Sequence, residues 1–431
     1  MKWLLQQKLK YIAKLVLLKY KPDIVGITGS VGKTSAKDAI FAVLSSKHKV
    51  RRNIKNYNNE IGLPLTIIGT ESPGKSMLGW LRVFWQAFIL IIKKDKNYPE
   101  ILVLEMGIDR PGDMKYLLGI TKANVGVLTL IGPVHLEFFG SVEKIAEEKA
   151  ILIKNLKKNG WAVINYDDQK SKEVAEISKA RVLSFGLNSG ASVKAQELKF
   201  SFEKSKSADH LLGISFKLNY NEAFVPVLLP DVIGYNAIYA SLAAAAVGIA
   251  YDMNLVDIAN ALRRFKSPPG RMNLIDGVKH TMIIDDSYNS SPQSAKSALD
   301  IFSKIKIGAK NKKFAVLGDM LELGSYSEAG HREVGEYAYQ AGINKLIVVG
   351  ERARDIGRGA EAAGMLRDNI FRFKDSKTAA KFLEDRIRQG DLILVKGSQG
   401  VRMEHVVKEI MTEPTRAKEL LVRQGGLWLG T

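Results

Sequence analysis

GITGSVGKTSAKDAIF, residues 26–41, decides how the chain begins. Asp23 and the apolar residues after it read as a buried strand, and KTSAKDAIFAVLSSK reads as the helix that follows. Between them, Gly29 and Gly32 let the backbone come close to an anion. Ser30 and Val31 fill the turn, so successive N–H groups and the helix start can face one phosphate. Lys33 is placed to reach the terminal phosphates, and Thr34, followed by Ser35, offers a hydroxyl to magnesium. The strict phosphate-loop pattern has glycine where this chain has Ile27. Strand before and helix after are the context that supports the reading. Kinases, ATPases, motors and ligases all grip phosphate this way, so the rest of the chain has to choose.

Working outward, EILVLEMG (100–107) and NVGVLTLIG (124–132) are apolar runs of the kind found in parallel sheets. SVEKIAEEKAILIKNL (141–156) reads as a helix between strands. This alternation predicts an α/β fold: a doubly wound, P-loop-type central domain. Residues 193–229 alternate apolar and polar positions, as antiparallel strands do, and predict a small β extension. The alanine-rich helix GYNAIYASLAAAAVGIA (234–250) follows, and then FKSPPGRMN (265–273) breaks the pattern. TMIIDDSY, KFAVLGDM, KLIVVGE and DLILVKGS restart it as strands of a Rossmann-like C-terminal α/β domain. The predicted division is a basic helix over 1–22, an ATP-binding domain over 23–267 and a C-terminal domain over 268–431.

With 431 residues the chain is too long for one core. It has no cysteine, which excludes disulfides and thiolate metal sites and leaves oxygen and imidazole donors. The formal charge of +19 fits nucleic acid, an anionic membrane surface or polyanionic small substrates. No nucleic-acid-binding motif accompanies it. MKWLLQQKLKYIAKLVLLKYK (1–21) is interrupted by lysines and lacks a cleavage site, so it is not a signal peptide. Leu5, Leu9, Ile12 and Val16 share a face, which predicts an amphipathic basic helix. A second apolar stretch, MLGWLRVFWQAFILIIKK (77–94), is short of the ~20 residues of a membrane span. Either segment packs on its own protein or makes peripheral contact with anionic lipid.

Other polar positions carry two readings each. Glu105 closes a strand, where a carboxylate binds magnesium or is merely solvated. His135 is a lone histidine, structural or catalytic, and Lys149 by pattern is a surface lysine. Asn58 and Asn59, in NYNNEIGLPL (56–65), contact phosphates or make turns. Asp285 and Asp286, beside Asn289, are ribose or metal contacts or turn caps. Lys396 and Ser398 lie at a glycine-rich helix start suited to an anion or carboxylate.

TGSVGKTS, NYNNEIGLPLT, LEMG, HLEFFGSVEKIAEEKA, PPGRMN, IIDDSYNSSP, VLGDMLELG and KGSQGVRMEHVV, in this order, resemble the Mur ligase superfamily. NNEIGLPLT, DDSYN and GDMLELG point to its MurF branch, the UDP-N-acetylmuramoyl-tripeptide–D-alanyl-D-alanine ligases. The resemblance runs from about residue 24 to 411. It implies an ATP-dependent amide ligase of peptidoglycan precursor synthesis, acting as a cytoplasmic monomer. Its substrates would be a UDP-linked muramoyl tripeptide and D-alanyl-D-alanine, joined through an acyl phosphate. Thr34 would hold the magnesium on ATP, and Glu105 and His135 a second one. Lys149 matches a lysine carbamylated by carbon dioxide. Arg271 and Asp286, with Asn236 on the adenine side, match nucleotide positions. Asn289, Asp319, Lys396 and Ser398 match the side where the incoming amine binds. Three departures accompany the match: only residues 1–22 precede the first strand, where the family has a uridine-binding domain; Asn236-Ala237 replaces a frequent His-Asn; and Gln399 replaces a common arginine. A folylpolyglutamate synthase-like ligase and a degenerate nucleotide-binding partner protein are the alternatives.

Overall fold

A computed structural model describes residues 2–54, 57–133, 136–203 and 210–425. Nine strands form the first sheet: β1 (Asp23–Thr28), β2 (Val50–Arg52), β3 (Ile101–Glu105), β4 (Val125–Leu128), β5 (Trp161–Asn165), β6 (Arg181–Gly186), β7 (Val193–Glu203), β8 (His210–Tyr220) and β9 (Ala223–Pro230). Their order is β2-β3-β1-β4-β5-β6-β7-β8-β9. From β2 to β6 every neighbouring pair is parallel. The central strands are buried along almost their whole length, which is why they read as unbroken apolar runs. Register pairs Ile27 with Glu105 and Thr28 with Leu128, so the carboxyl ends of β1, β3 and β4 finish side by side.

The helix Lys33–Leu44 leaves β1 directly, and the helix Tyr235–Ala250 packs against it, with Gly248 close to Val43. Another apolar cluster joins Leu9, Ala13 and Val16 of the helix Lys2–Tyr20 to Leu63 and Leu65, to Val83 and Ala87 of the helix Met77–Ile92, and to Leu152 and Ile153 of the helix Val142–Lys154. Ser141 caps that last helix by accepting the Lys144 N–H at 3.3 Å.

The first helix departs from its predicted character. Leu9 and Val16 are buried and Leu5 and Ile12 partly so, but Trp3, Leu4, Tyr11 and Leu18 are exposed on the other side. It is apolar on both faces. The β5 and β6 segments, which carried no distinct signal, complete the parallel sheet, and β7 to β9 continue it as an edge extension.

A second sheet contains β10 (Asn273–Gly277), β11 (Thr281–Asp286), β12 (Lys313–Gly318), β13 (Lys345–Val349), β14 (Ile370–Phe373) and β15 (Leu392–Lys396), in the order β10-β11-β15-β12-β13-β14. Only β10 runs antiparallel to its neighbour. The chain divides into two compact units: Met1–Leu198 with Ser215–Leu228 and Tyr235–Lys266, and Lys199–Ile214 with Leu229–Gly234 and Ser267–Thr431. Among the described residues, no helix is long and apolar enough to cross a membrane.

Candidate active site

The phosphate turn of the first unit is set by close packing on the segment after β4. Gly29 has φ 151°, and a Cβ there would sit 1.9 Å from Thr129 Oγ1, so a side chain does not fit. Thr129 Oγ1 donates to the Val31 carbonyl at 2.6 Å. Ser30 Oγ donates to the Gly132 carbonyl and accepts the Gly132 N–H, both at 2.9 Å. Gly32, at φ 87°, caps the helix with no side chain, which leaves the first helical N–H groups to a ligand. Lys33 Nζ folds back and donates to the Gly29 carbonyl at 2.7 Å. Ser35 is buried beneath the turn.

Glu105, the last residue of β3, points at the helix start. Its backbone is clamped by Asn53, whose side chain accepts the Glu105 N–H at 2.9 Å and donates to its carbonyl at 3.0 Å. Its buried carboxylate accepts from Thr34 Oγ1 at 3.1 Å and from Asn58 Nδ2 at 3.2 Å. The Lys37 ammonium, also buried, lies 3.4 Å away. Lys149, on the helix Val142–Lys154, reaches the same turn and donates to the Gly29 carbonyl at 3.1 Å. Burial pushes the Lys149 ammonium down to about 7, and the nearby Lys33 charge adds to this against the pull of Glu148 and Asp109.

Lys33, Thr34, Glu105, Lys149 and Asn58 are therefore neighbours in one unit. Asn59 instead makes the turn: its Oδ1 accepts the N–H groups of Ile61 and Gly62 at 3.2 and 3.0 Å. Asn236 stands exposed in the first turn of its helix. His135 lies outside the described residues. Lys37, Asn53 and Thr129 join the site without a motif that marks them. Lys37 was available from spacing, because it follows Lys33 by four residues and so shares its helix face. The donors offered to a metal, a hydroxyl and a carboxylate, are hard oxygens and fit magnesium. Among the described residues no cluster of three acidic or imidazole side chains could hold a metal. Magnesium, which keeps several waters and phosphate oxygens, does not require one.

In the second unit, Asp286 and Lys396 are register partners at the carboxyl ends of β11 and β15. Their side chains meet at 2.6 Å, and Lys396 Nζ also donates to the Asn289 carbonyl at 3.0 Å. Burial pushes the Asp286 carboxyl up, with Lys396 and then Arg271 opposing it. Neighbouring Asp285 is fully buried, and that burial pushes it up to about 6. Ser398 Oγ donates to the Ser290 carbonyl at 3.2 Å and accepts the Leu321 N–H at 2.9 Å. Asp319 Oδ1 accepts the Ala353 N–H at 2.7 Å. Arg271 lies over the Tyr288 ring at 4.1 Å, and Asn289 is exposed. The Lys396 charge and the Ser398 hydroxyl are thus engaged inside the fold, which the glycine-rich helix start did not reveal.

With this geometry in place, relatives become informative. The sequence model of the Mur ligase middle domain matches residues 87–248, and that of the Mur ligase glutamate ligase domain matches 270–399. The UDP-N-acetylmuramoyl-tripeptide–D-alanyl-D-alanine ligase of Bacillus subtilis is 30% identical over 406 residues, which is 94% of this chain and 79% of that protein. The chain belongs to the Mur ligase family. Within it, the MurF ligase of Thermotoga maritima, solved in complex with ADP, is 29% identical with a TM-score of 0.72, covering 94% of this chain and 83% of that one. MurF from Acinetobacter baumannii, 24% identical, shares the fold with a TM-score of 0.74 over 94% of this chain and 79% of its own. This Mur ligase therefore shares the α/β fold of MurF over about four fifths of the MurF chains.

Lys33→Ala removes one of the two lysines on the glycine turn while leaving the Thr129 and Ser30 contacts that shape it. ADP binding, measured by titration calorimetry, should weaken at least ~100-fold, as expected for loss of charge-assisted phosphate contacts. The thermal transition should stay in place; unchanged ADP affinity would remove Lys33 from the site.

Proposed function

We propose that this Mur ligase uses ATP to join D-alanyl-D-alanine to the terminal carboxylate of a UDP-N-acetylmuramoyl tripeptide. The relatives' activity supports this reading, and so does the ADP held by the Thermotoga protein. The observation that carries it is the convergence of two lysines and a hydroxyl–carboxylate pair on one turn. Lys33 and Lys149 both donate to the Gly29 carbonyl, and Thr34 donates to Glu105. A carboxylate cannot expel an oxide ion, so it first takes the γ-phosphoryl group of ATP, with ADP leaving on the bridging oxygen, and becomes an acyl phosphate. The amine then attacks the acyl carbon and gives up one proton, and phosphate leaves with the C–O bonding pair. Lys33 neutralises charge that builds on the phosphoryl oxygens. Thr34 and Glu105, with His135 added by the family resemblance, would hold magnesium, which supplies Lewis-acid stabilisation of those oxygens when bound.

Lys149 has a second part in this reading. A lysine held near 7 has a large neutral fraction at physiological pH, and a neutral amine attacks carbon dioxide with release of one proton. The resulting carbamate reverses the charge of the side chain and sets an anion beside Lys33. In the second unit, Arg271 and Asp286 act on the nucleotide, and Asn289 and Asp319 on the incoming amine. Lys396 and Ser398 then serve as positioning residues that hold Asp286 and the 319–321 turn. The reading makes the protein a cytoplasmic monomer.

Phosphate release from ATP, followed with tripeptide substrate and D-alanyl-D-alanine each omitted in turn, tests the assignment. Release should require both. Hydrolysis independent of either substrate, or none with both present, would favour a nucleotide-binding partner protein instead.

The carbamate predicts its own pH dependence. Because the Lys149 pKa is lowered, its amine is neutral above about pH 7 and protonated below it. With 13C-bicarbonate, a carbamate resonance should appear at pH 8, fade below pH 7 and be missing from Lys149→Ala. Short carboxylic acids should partly restore the activity of that variant. A wild-type spectrum identical to that of Lys149→Ala would end this part of the reading.

A further inference from the structure

The helix Met77–Ile92 is apolar on both of its faces. Val83, Ala87 and Leu90 are buried against the first unit. On the opposite side, Met77, Leu81, Trp85, Phe88 and Ile92 recur at helical spacing and are all exposed. Met77 is 84% exposed, and Leu81, Trp85 and Ile92 are 64% each. Leu78 and Ile89 widen the stripe, and the Trp85 and Phe88 rings stack at 5.7 Å. A continuous apolar line of this length is unusual on a solvated surface and marks a docking face.

The stripe extends onto the helix Lys2–Tyr20. The two helices are tied together: Lys19 Nζ donates to the Ile91 carbonyl at 2.9 Å, and Tyr20 OH to the Leu90 carbonyl at 3.1 Å. A groove of about 310 Å³ between them is lined by Lys8, Tyr11, Ile12 and Phe84. Exposed Trp3, Leu4, Tyr11 and Leu18 thus add to the apolar surface beside the 77–92 stripe.

Charge identifies the occupant. Residues 1–22 contain lysines 2, 8, 10, 14, 19 and 21 and no acidic residue; residues 72–94 contain Lys75, Arg82, Lys93 and Lys94 and again no acidic residue. Lys8, Lys14, Arg82, Lys93 and Lys94 are exposed. An apolar face with tryptophan and phenylalanine, edged mainly by cations, with Glu71 and Asp95 just beyond them, suits the interfacial zone of a bilayer carrying anionic headgroups. The 16-residue helix is roughly 24 Å long at 1.5 Å per residue, short of the ~30 Å hydrocarbon core. That length suits lying along a bilayer surface, not crossing it.

We infer that the outer faces of Lys2–Tyr20 and Met77–Ile92 form a docking surface for an anionic lipid bilayer. The inference does not depend on the ligase reaction. The full chain should co-sediment with phosphatidylglycerol-containing vesicles and not with pure phosphatidylcholine, and its tryptophan emission should shift to the blue. The triple variant Leu81→Ser, Trp85→Ser, Phe88→Ser should lower partitioning at least ~10-fold, given the apolar area it removes. The pair Lys93→Glu, Lys94→Glu should lower it at low salt. All substituted side chains are exposed, so ADP binding should persist in both variants and shows that they are folded. Three results would overturn the inference: no sedimentation with anionic vesicles, equal sedimentation with neutral ones, or binding insensitive to both variants. Self-association in sedimentation velocity that the triple variant abolishes, without vesicle binding, would give the face to a second copy and likewise overturn it.

Discussion

A carboxylate buried at the end of β3 needs compensation, and the surroundings of Glu105 supply it. An unpaired charge in such a place would cost several kcal/mol. Asn53 fixes the backbone, Thr34 and Asn58 donate to the oxygens, and Lys37 provides the counter-charge. Because Thr34 and Lys37 sit on the first turns of the helix after the phosphate turn, neutralising Glu105 also sets where that helix starts. The turn is held from the other side by Thr129 and Gly132, which follow β4. Three adjacent parallel strands thereby place a glycine turn, an oxygen donor pair and two lysines within one unit.

The two lysines are placed differently. Lys33 is half-buried and folds onto the Gly29 carbonyl of its own turn. Lys149 comes from a helix far along the chain and is buried, so its ammonium has little hydration to stabilise it. Placing it beside Lys33 disfavours the charge further. A lysine prepared in this way is chemically distinct from the many solvated lysines that give the chain its +19 charge. The second unit handles its charges by internal pairing: Asp286 and Lys396 satisfy each other across adjacent strand ends.

Much of this was legible before the fold was known. The strand, glycine turn and helix around Lys33 announce themselves through residues that each need a local conformation, and Glu105 follows a run too apolar to be a loop. Lys149 was not legible in this way. In EKIAEEKA it is one charged residue among several, and only packing against the phosphate turn separates it from a solvated lysine. Asn58 and Asn59 are adjacent and chemically alike, yet one faces Glu105 and the other makes a turn; no periodicity distinguishes them. β10 and β14 are short, at five and four residues, and offer too few positions for a pattern to show. The apolar helix 77–92 was visible as a run, but which residues stay uncovered follows from tertiary packing alone.

In the proposed reaction the γ-phosphoryl group of ATP passes to a carboxylate. Ligation with tripeptide substrate carrying 18O in its terminal carboxylate reads that transfer directly, through mass spectrometry of the released phosphate. One labelled oxygen should appear in phosphate for every amide bond formed. Phosphate free of label, alongside normal product, would rule out transfer to the carboxylate.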